Sequence, residues 1–291
     1  MNLQQVSDTN QQELRKLIEH LQLKQYALST IRIYSNEFMQ LLVLLGKRNV
    51  ATLQSDDLKR YLLYCINERK LSENTIHSRL NALKFYYEQV LKKEQFFFSI
   101  PRPKKAATLP KFFSQEEITS IIKSVVNIKH RTMLMLCYST GMRVSEVVTL
   151  RVSQIMAHRN CILIERAKGK KDRLVQLSPV LLIALRAYAS QFKIGKEGYL
   201  FPGQQKETPY SSRSLQKILQ EAKLKAGIIK PGSVHALRHS FTTHLLDKGT
   251  DISIIQKILG HNDIKTTLRY LHTSNRDLLK VISPLDDLDL S

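Results

Sequence analysis

Leu259-Gly-His-Asn-Asp-Ile-Lys-Thr-Thr-Leu-Arg-Tyr-Leu-His272 carries the residue on which the reading of this sequence turns, Tyr270. A phenol with a pKa near 10 is ionised in only about one copy in a thousand at neutral pH. To act as a nucleophile, Tyr270 needs cationic neighbours and a group that can take its proton. Two upstream segments offer them. His235-Ala-Leu-Arg-His-Ser-Phe-Thr-Thr-His-Leu-Leu246 sets His235 and Arg238 three residues apart, on one face of a helix. Gly141-Met-Arg-Val-Ser-Glu146 places Arg143 just beyond a glycine able to end a helix, with Glu146 three residues on. Two arginines, two histidines (His235 and His261) and one tyrosine form a set suited to reading an anion.

Taken together, these segments resemble the tyrosine recombinase (phage integrase) family in its two-domain, Xer-like form. Thr140-Gly-Met-Arg-Val-Ser-Glu146 is similar to the family's first arginine box and His235-Ala-Leu-Arg238 to its HxLR box. Leu259-Gly-His261, followed nine residues on by Tyr270, is similar to its nucleophile box. The resemblance implies a mainly α fold: an N-terminal SAM-like four-helix core-binding domain, then a C-terminal α+β catalytic domain with a small antiparallel sheet. It also implies a site-specific DNA recombinase, an integrase or resolvase, that cleaves and rejoins strands through a 3′-phosphotyrosyl intermediate.

On that resemblance Tyr270 attacks the scissile phosphate, and Arg143 and Arg238 clamp its two non-bridging oxygens, a task suited to planar guanidinium groups. Lys168, on a hairpin, protonates the leaving oxygen; His235 accepts the tyrosine proton; His261 hydrogen-bonds the phosphate; Glu146 orients Arg143 or His235. The family usually has glycine on both sides of the hairpin lysine, whereas here Ala167 precedes Lys168, and Lys170 and Lys171 follow Gly169. The register of the lysine is thus shared among three positions. No metal and no cofactor is expected. His239 and His244 read as structural, and Tyr26, Tyr34, Tyr138 and Tyr188 as packing or surface residues.

Composition bounds the rest. The 291 residues carry 45 Lys and Arg against 25 Asp and Glu, a formal charge of +20, and 43% are hydrophobic. Such a chain can fold into two domains, and its charge calls for a polyanionic partner, of which duplex DNA is the first candidate. The longest apolar run, Leu41 to Leu45, is too short to span a bilayer, and no basic amphipathic helix or lipid anchor suggests a membrane partner. Met1-Asn-Leu-Gln-Gln-Val-Ser-Asp8 lacks the pattern of a signal peptide, so a cytoplasmic, nucleoid-associated location is expected. Cys65, Cys137 and Cys161 stand in apolar surroundings and read as reduced core thiols.

Along the chain, residues 1–100 read as a helical DNA-binding domain. Its stripes are Leu14, Leu17, Ile18 and Leu21; a helix from the cap Ser29 to Gly46; Leu58, Tyr61, Leu62 and Cys65 after Ser55; and Ile76, Leu80, Leu83, Tyr86, Tyr87 and Val90 after Ser72. Arg32, Arg79 and Lys84 are expected on the DNA-facing side. Residues 101–111 form a proline-interrupted linker whose Lys104 and Lys105 would follow the phosphates.

Ser114-Gln-Glu-Glu117 is a capping box opening a catalytic domain over residues 112–276. In it a helix near 129–138 is followed by strands 161–165 and 174–177 joined by the lysine-bearing turn. Helices follow near 179–190, 212–226, 235–247 and 252–259, with a short one leading to Tyr270. Residues 277–291 mix apolar and acidic side chains, and by resemblance this tail, through Leu278, Leu279 and Ile282 before Pro284, docks on a neighbouring protomer. The expected assembly is a homo-tetramer on paired recombination sites, with room for a second recombinase. Two alternatives stand beside it: a non-catalytic DNA-binding partner subunit, and a type IB topoisomerase-like enzyme that nicks and reseals one strand.

Overall fold

The computed structural model describes residues 6–93, 111–165, 172–261 and 263–270. The chain divides into two compact units, Met1–Ala107 and Thr108–Ser291. The predicted linker up to residue 110, the lysine-bearing turn and the acidic tail lie outside the described residues.

The first unit is four helices: α1 (Asp8–Leu23), α2 (Leu28–Leu45), α3 (Ser55–Asn67) and α4 (Glu73–Lys84). Ser7 caps α1 and Ser72 caps α4, each accepting a backbone N–H with its hydroxyl. Helix α2 starts earlier than Ser29 suggests. Ala27 holds the cap position with no side-chain bond, and Gly46 ends the helix at φ +57°. The predicted stripes form the core, with Leu17, Leu21, Phe38, Leu42, Leu58, Cys65 and Leu80 almost entirely buried. Asn10 ties α1 to the turn after α2, donating to the Gly46 and Arg48 carbonyls and accepting from the Val50 N–H.

The stripe of α4 runs on into a π-helical turn, Phe85–Val90. An α-helix turns successive side chains 100° apart, whereas the wider π turn lets Tyr86 and Tyr87 both stay inside. Their hydroxyls are satisfied there: Tyr86 donates to Glu13 Oε2 at 2.8 Å and Tyr87 to the Val50 carbonyl at 2.6 Å.

One expected DNA contact is overturned here. Arg79 is only 7% exposed. Its Nε donates to Glu37 Oε2 at 2.9 Å and its Nη1 to Cys65 Sγ at 3.2 Å, and the guanidinium lies over the Tyr61 ring. The reason is register: positions 76, 79, 80 and 83 repeat at i, i+3, i+4 and i+7, so residue 79 belongs to the buried stripe. Arg32 is exposed, and Lys84 keeps a long pairing with Glu88 at 3.6 Å.

In the second unit, α5 (Gln115–Lys123) begins with the predicted capping box, in which Ser114 accepts from the Glu117 N–H and Glu117 accepts from the Ser114 N–H. Helix α6 (Ile128–Thr140) is the central post, packed by α8 (Pro179–Gln191), α9 (Ser212–Lys225) and α10 (Val234–Asp247). Its Met133, Leu134, Leu136 and Cys137 are fully buried, which accounts for its weak amphipathicity. A short α7 (Val144–Thr149) follows.

The sheet has three antiparallel strands in the order β1 (Ile155–Met156), β2 (Cys161–Ile164), β3 (Arg173–Gln176), with Ile162 opposite Val175. Inward Ile162, Ile164 and Val175 alternate with outward neighbours. The two-residue β1 was not expected, being too short to show a period. Helices α11 (Ile252–Leu259) and α12 (Ile264–Leu268) close the described chain. Gly260, in the left-handed conformation, ends α11, and Asp263 caps α12.

Candidate active site

Segments far apart in sequence meet around Arg143 and Arg238, and backbone geometry brings them there. Helix α6 stops at Gly141, whose φ is +60°. A Cβ at this position would sit 2.4 Å from Phe241 Cδ1, so glycine allows α10 to lie close. The Gly141 carbonyl then accepts from Arg238 Nη1 at 2.7 Å, and the Leu259 carbonyl accepts from Nη2 at 2.7 Å. These carbonyls come from the ends of α6 and α11, where helices leave oxygens without partners.

Arg143 follows directly, as the cap residue of α7. Its N–H donates to Glu146 Oε2 and its Nη1 to Glu146 Oε1, while Nη2 reaches the Gly260 carbonyl at 3.3 Å. Glu146 therefore bonds Arg143, and its second partner is Arg173 rather than His235. Arg173, at the start of β3, donates from both terminal nitrogens to both Glu146 oxygens, at 2.9 and 2.6 Å, and from Nε to the Ile258 carbonyl. Burial by itself would raise the Glu146 pKa. The Arg173 guanidinium, with the Arg143 backbone and side chain, overrides it and holds the carboxyl near 2.

Two guanidinium groups thus share one carboxylate, and a third, that of Arg238, is held near them. Arg238 is 1% exposed, is bonded to carbonyls rather than to an acid, and leaves its Nε without a partner. Burial, and then Arg143, bring its pKa down to about 10, so it stays charged at neutral pH. Net positive charge, held rigidly and under-compensated, is what an anion site requires before its anion arrives.

His261 sits beside it. Its Nε2 meets Arg238 Nη2 at 2.9 Å, and its Nδ1 meets Thr267 Oγ1 at 2.9 Å. Arginine can only donate, so Nε2 accepts and the proton is on Nδ1. Burial and the arginines push the His261 pKa down to about 4, which agrees with a neutral ring.

Tyr270 follows α12 and is 3% exposed. Its ring packs in a small apolar cluster with Leu246, Ile255 and Leu259. Its hydroxyl lies 2.6 Å from Nδ1 of His239. Reading His239 as structural missed this contact. His235 and His239 are four apart on α10, and their rings meet edge to face at 4.5 Å, but it is the second that touches the tyrosine. His235 is exposed at the mouth of a cleft of about 410 Å³ that Lys111, His261, Arg269 and Tyr270 also line. Burial raises the Tyr270 pKa, and Arg238 opposes it.

His244 and Tyr138 keep the structural roles expected, bonded to each other at 2.9 Å. Lys168, Lys104 and Lys105 lie outside the described residues. Among the described residues there is no cluster of three or more metal-ligating side chains and no helix long and apolar enough to cross a membrane. Cys65, Cys137 and Cys161 are free thiols, the first two buried.

Comparison with known proteins gives a consistent result. The model of the phage integrase family matches residues 111–276, and that of the phage integrase N-terminal SAM-like domain matches residues 14–95. An integrase/recombinase of Escherichia coli is 31% identical over 94% of this chain and 93% of its own length. The tyrosine recombinase XerD of Rhizobium meliloti is 36% identical over 75% of this chain and 76% of its own. Among solved structures, a lambda integrase dimer bound to a core site shares the fold with a TM-score of 0.74 at 15% identity, covering 94% of this chain and 98% of that one. The XerH recombinase bound to its difH substrate shares it with a TM-score of 0.71 at 21% identity, covering 94% and 88%.

Proposed function

The chain belongs to the phage integrase family, and from that premise we propose that Tyr270 is the nucleophile and Arg143, Arg238 and His261 the phosphate-binding residues of its strand exchange. The protein is a tyrosine recombinase, an enzyme of site-specific DNA breakage and rejoining. The observation that carries the residue assignment is the excess of guanidinium over carboxylate, three against one, gathered next to His261, which lines one cleft with Tyr270.

In-line displacement at a phosphodiester needs a nucleophile, compensation of charge on the non-bridging oxygens and a proton for the departing oxygen. Arg143 and Arg238 can each turn two N–H groups toward a bound phosphate, and Arg238 can do so by exchanging carbonyl partners for the stronger anionic acceptor. His261 then loses its arginine partner at Nε2. The negative charge arriving beside that nitrogen raises its proton affinity, so His261 becomes able to donate to the phosphate. Lys168 is the proposed proton donor to the 5′ oxygen, and His235 a polar wall of the phosphate cleft. Glu146 and Arg173 hold Arg143 from behind.

The partner is double-stranded DNA bearing a recombination site, engaged by a homo-tetramer on two sites in the cytoplasm, at the nucleoid. Residues 1–100 serve as core-binding domain, 101–111 as linker, 112–276 as catalytic domain and 277–291 as the exchanged tail. The test is covalent trapping. The full-length protein is incubated with a pool of nicked duplexes of randomised sequence, denatured, and the adducts are digested and mapped. The expected adduct carries DNA on Tyr270 through a 3′ phosphate and is absent from Tyr270→Phe, which still binds DNA. Adducts on another residue, or none with binding intact, would remove the assignment.

A further inference from the structure

Helix α10 presents a second histidine to the reaction centre, and its placement differs from that of the first. His235 stands at the exposed mouth of the cleft, whereas His239, one turn on, faces the Tyr270 hydroxyl across 2.6 Å. We infer that His239 is the catalytic residue that takes the proton from Tyr270 as the tyrosine attacks, deepening the strand-cleavage reading on which this inference rests.

Three observations support it. The first is reach: a base must lie within hydrogen-bonding distance of the proton it removes, and His239 Nδ1 does so before any substrate is bound. The second is protonation state. His239 is packed against His235 and the Tyr270 ring; His235 and Arg238 share its helix, Arg269 precedes Tyr270, and Lys111 and the neutral His261 stand on the walls of the same cleft. Burial, with His235, Arg238 and Arg269, lowers its pKa to about 4, so the ring is neutral and free to accept. The third is a complement on the same helix. The Thr242 side chain, three residues on, holds the same tyrosine hydroxyl in place while its own proton goes to the Arg238 carbonyl.

The step balances as a transesterification. The Tyr270 O–H bond breaks and its proton passes to His239 Nδ1, while a lone pair of the tyrosine oxygen forms the bond to phosphorus. The bond from phosphorus to the 5′ oxygen breaks, and that oxygen leaves with a proton from a separate ammonium donor, the role proposed for Lys168. Rejoining runs the same path backwards, with His239 returning its proton to the tyrosine. A phosphate seated on Arg143 and Arg238 brings negative charge near the ring and raises the proton affinity that the empty site suppresses.

The test uses the full-length chain and a duplex that the wild-type protein traps covalently from the randomised pool, made with either oxygen or sulfur as the leaving atom. Sulfur leaves without a protonated partner, so it rescues loss of the acid but not loss of the base. His239→Gln keeps a hydrogen-bond acceptor but cannot carry the proton. It is expected to slow adduct formation by about a hundredfold or more on both duplexes, with DNA binding unchanged. It should also remove the acid limb of the pH–rate profile, along which the wild-type rate climbs as the ring gives up its proton. A rate within about threefold of wild type, rescue by sulfur, or an unaltered acid limb would each overturn the assignment.

A second readout needs no DNA. The ¹⁵N resonances of His239, assigned by their absence from His239→Gln, should show Nδ1 unprotonated and Nε2 protonated, and the opposite tautomer would count against it. Failure of the wild-type chain to trap any duplex would overturn the strand-cleavage reading and this inference together; trapping unaffected by His239→Gln would overturn the inference alone.

Discussion

Among the described residues, each unit holds an arginine that is almost completely buried, Arg79 in one and Arg238 in the other, and the two are built differently. Arg79 in the N-terminal unit is 7% exposed and faces a carboxylate, Glu37, with sulfur and an aromatic ring filling its remaining sides. Arg238 in the C-terminal unit is 1% exposed and faces carbonyls, a neutral histidine and, at its Nε, nothing. Burying a charge is costly unless it is paired, and pairing is what Arg79 has and Arg238 lacks. A buried arginine is thus not in itself a functional sign. The missing counter-charge is, because an incoming phosphate can supply it.

This contrast can be broken or sharpened by substitution. The largest effect is expected from Arg238→Lys, which keeps the charge but loses the fork. Strand cleavage should fall roughly a hundredfold to a thousandfold, or about 3–4 kcal/mol of transition-state stabilisation, with DNA binding retained in a gel-shift assay.

Arg79→Met should act on stability instead, costing about 3 kcal/mol in urea unfolding because Glu37 is left buried without its partner. Its cleavage rate per folded molecule should stay near wild type, and the double variant Arg79→Met/Glu37→Leu should recover part of the stability.

Glu146→Gln comes next, and its sign follows from the pKa. The carboxyl is held near 2 in the fold against 4.5 unperturbed, so its stabilisation is complete above pH 4.5 and is lost as pH falls toward 2. That difference corresponds to up to about 3 kcal/mol. In Glu146→Gln this part of the acid limb should disappear from a plot of unfolding free energy against pH; an unchanged limb would place the stabilisation elsewhere.

The smallest effect concerns DNA contacts. Exposed Arg32→Ala should lower the slope of log affinity against log salt by about one counterion, whereas Arg79→Met should leave the slope unaltered.

Much of this architecture was legible because it is local. The caps Ser72 and Ser114 and the helix-ending Gly141 and Gly260 show in sequence, since each acts on residues within a turn of itself. What stayed hidden is contact across long separations. Arg173 meets Glu146 from 27 residues away and the Ile258 carbonyl from 85, and nothing in its neighbourhood marks it out from the lysines of the preceding turn. The π turn after Lys84 likewise has no simple periodic signature, because the apolar spacing that produces it also fits a continued α-helix.

Two signals were present but unweighed. Arg79 shares the i, i+3, i+4, i+7 stripe of its helix, which marks it as buried. His239 shares a face of α10 with His235, Arg238 and Thr242, which marks it as a neighbour of whatever those residues serve.

The most direct measurement of the central contrast needs no target DNA. Orthovanadate, a phosphate-like anion, is added at millimolar concentration with ionic strength matched by chloride, and the thermal midpoint is followed for three proteins. A site that awaits an anion is stabilised by mass action, by about 2.7 kcal/mol when the anion is a hundred times its Kd. Wild type and Arg79→Met should both rise by several degrees, and Arg238→Met should not move. An equal rise in all three, or none in the wild type, would contradict the claim that Arg238 belongs to a preformed anion site.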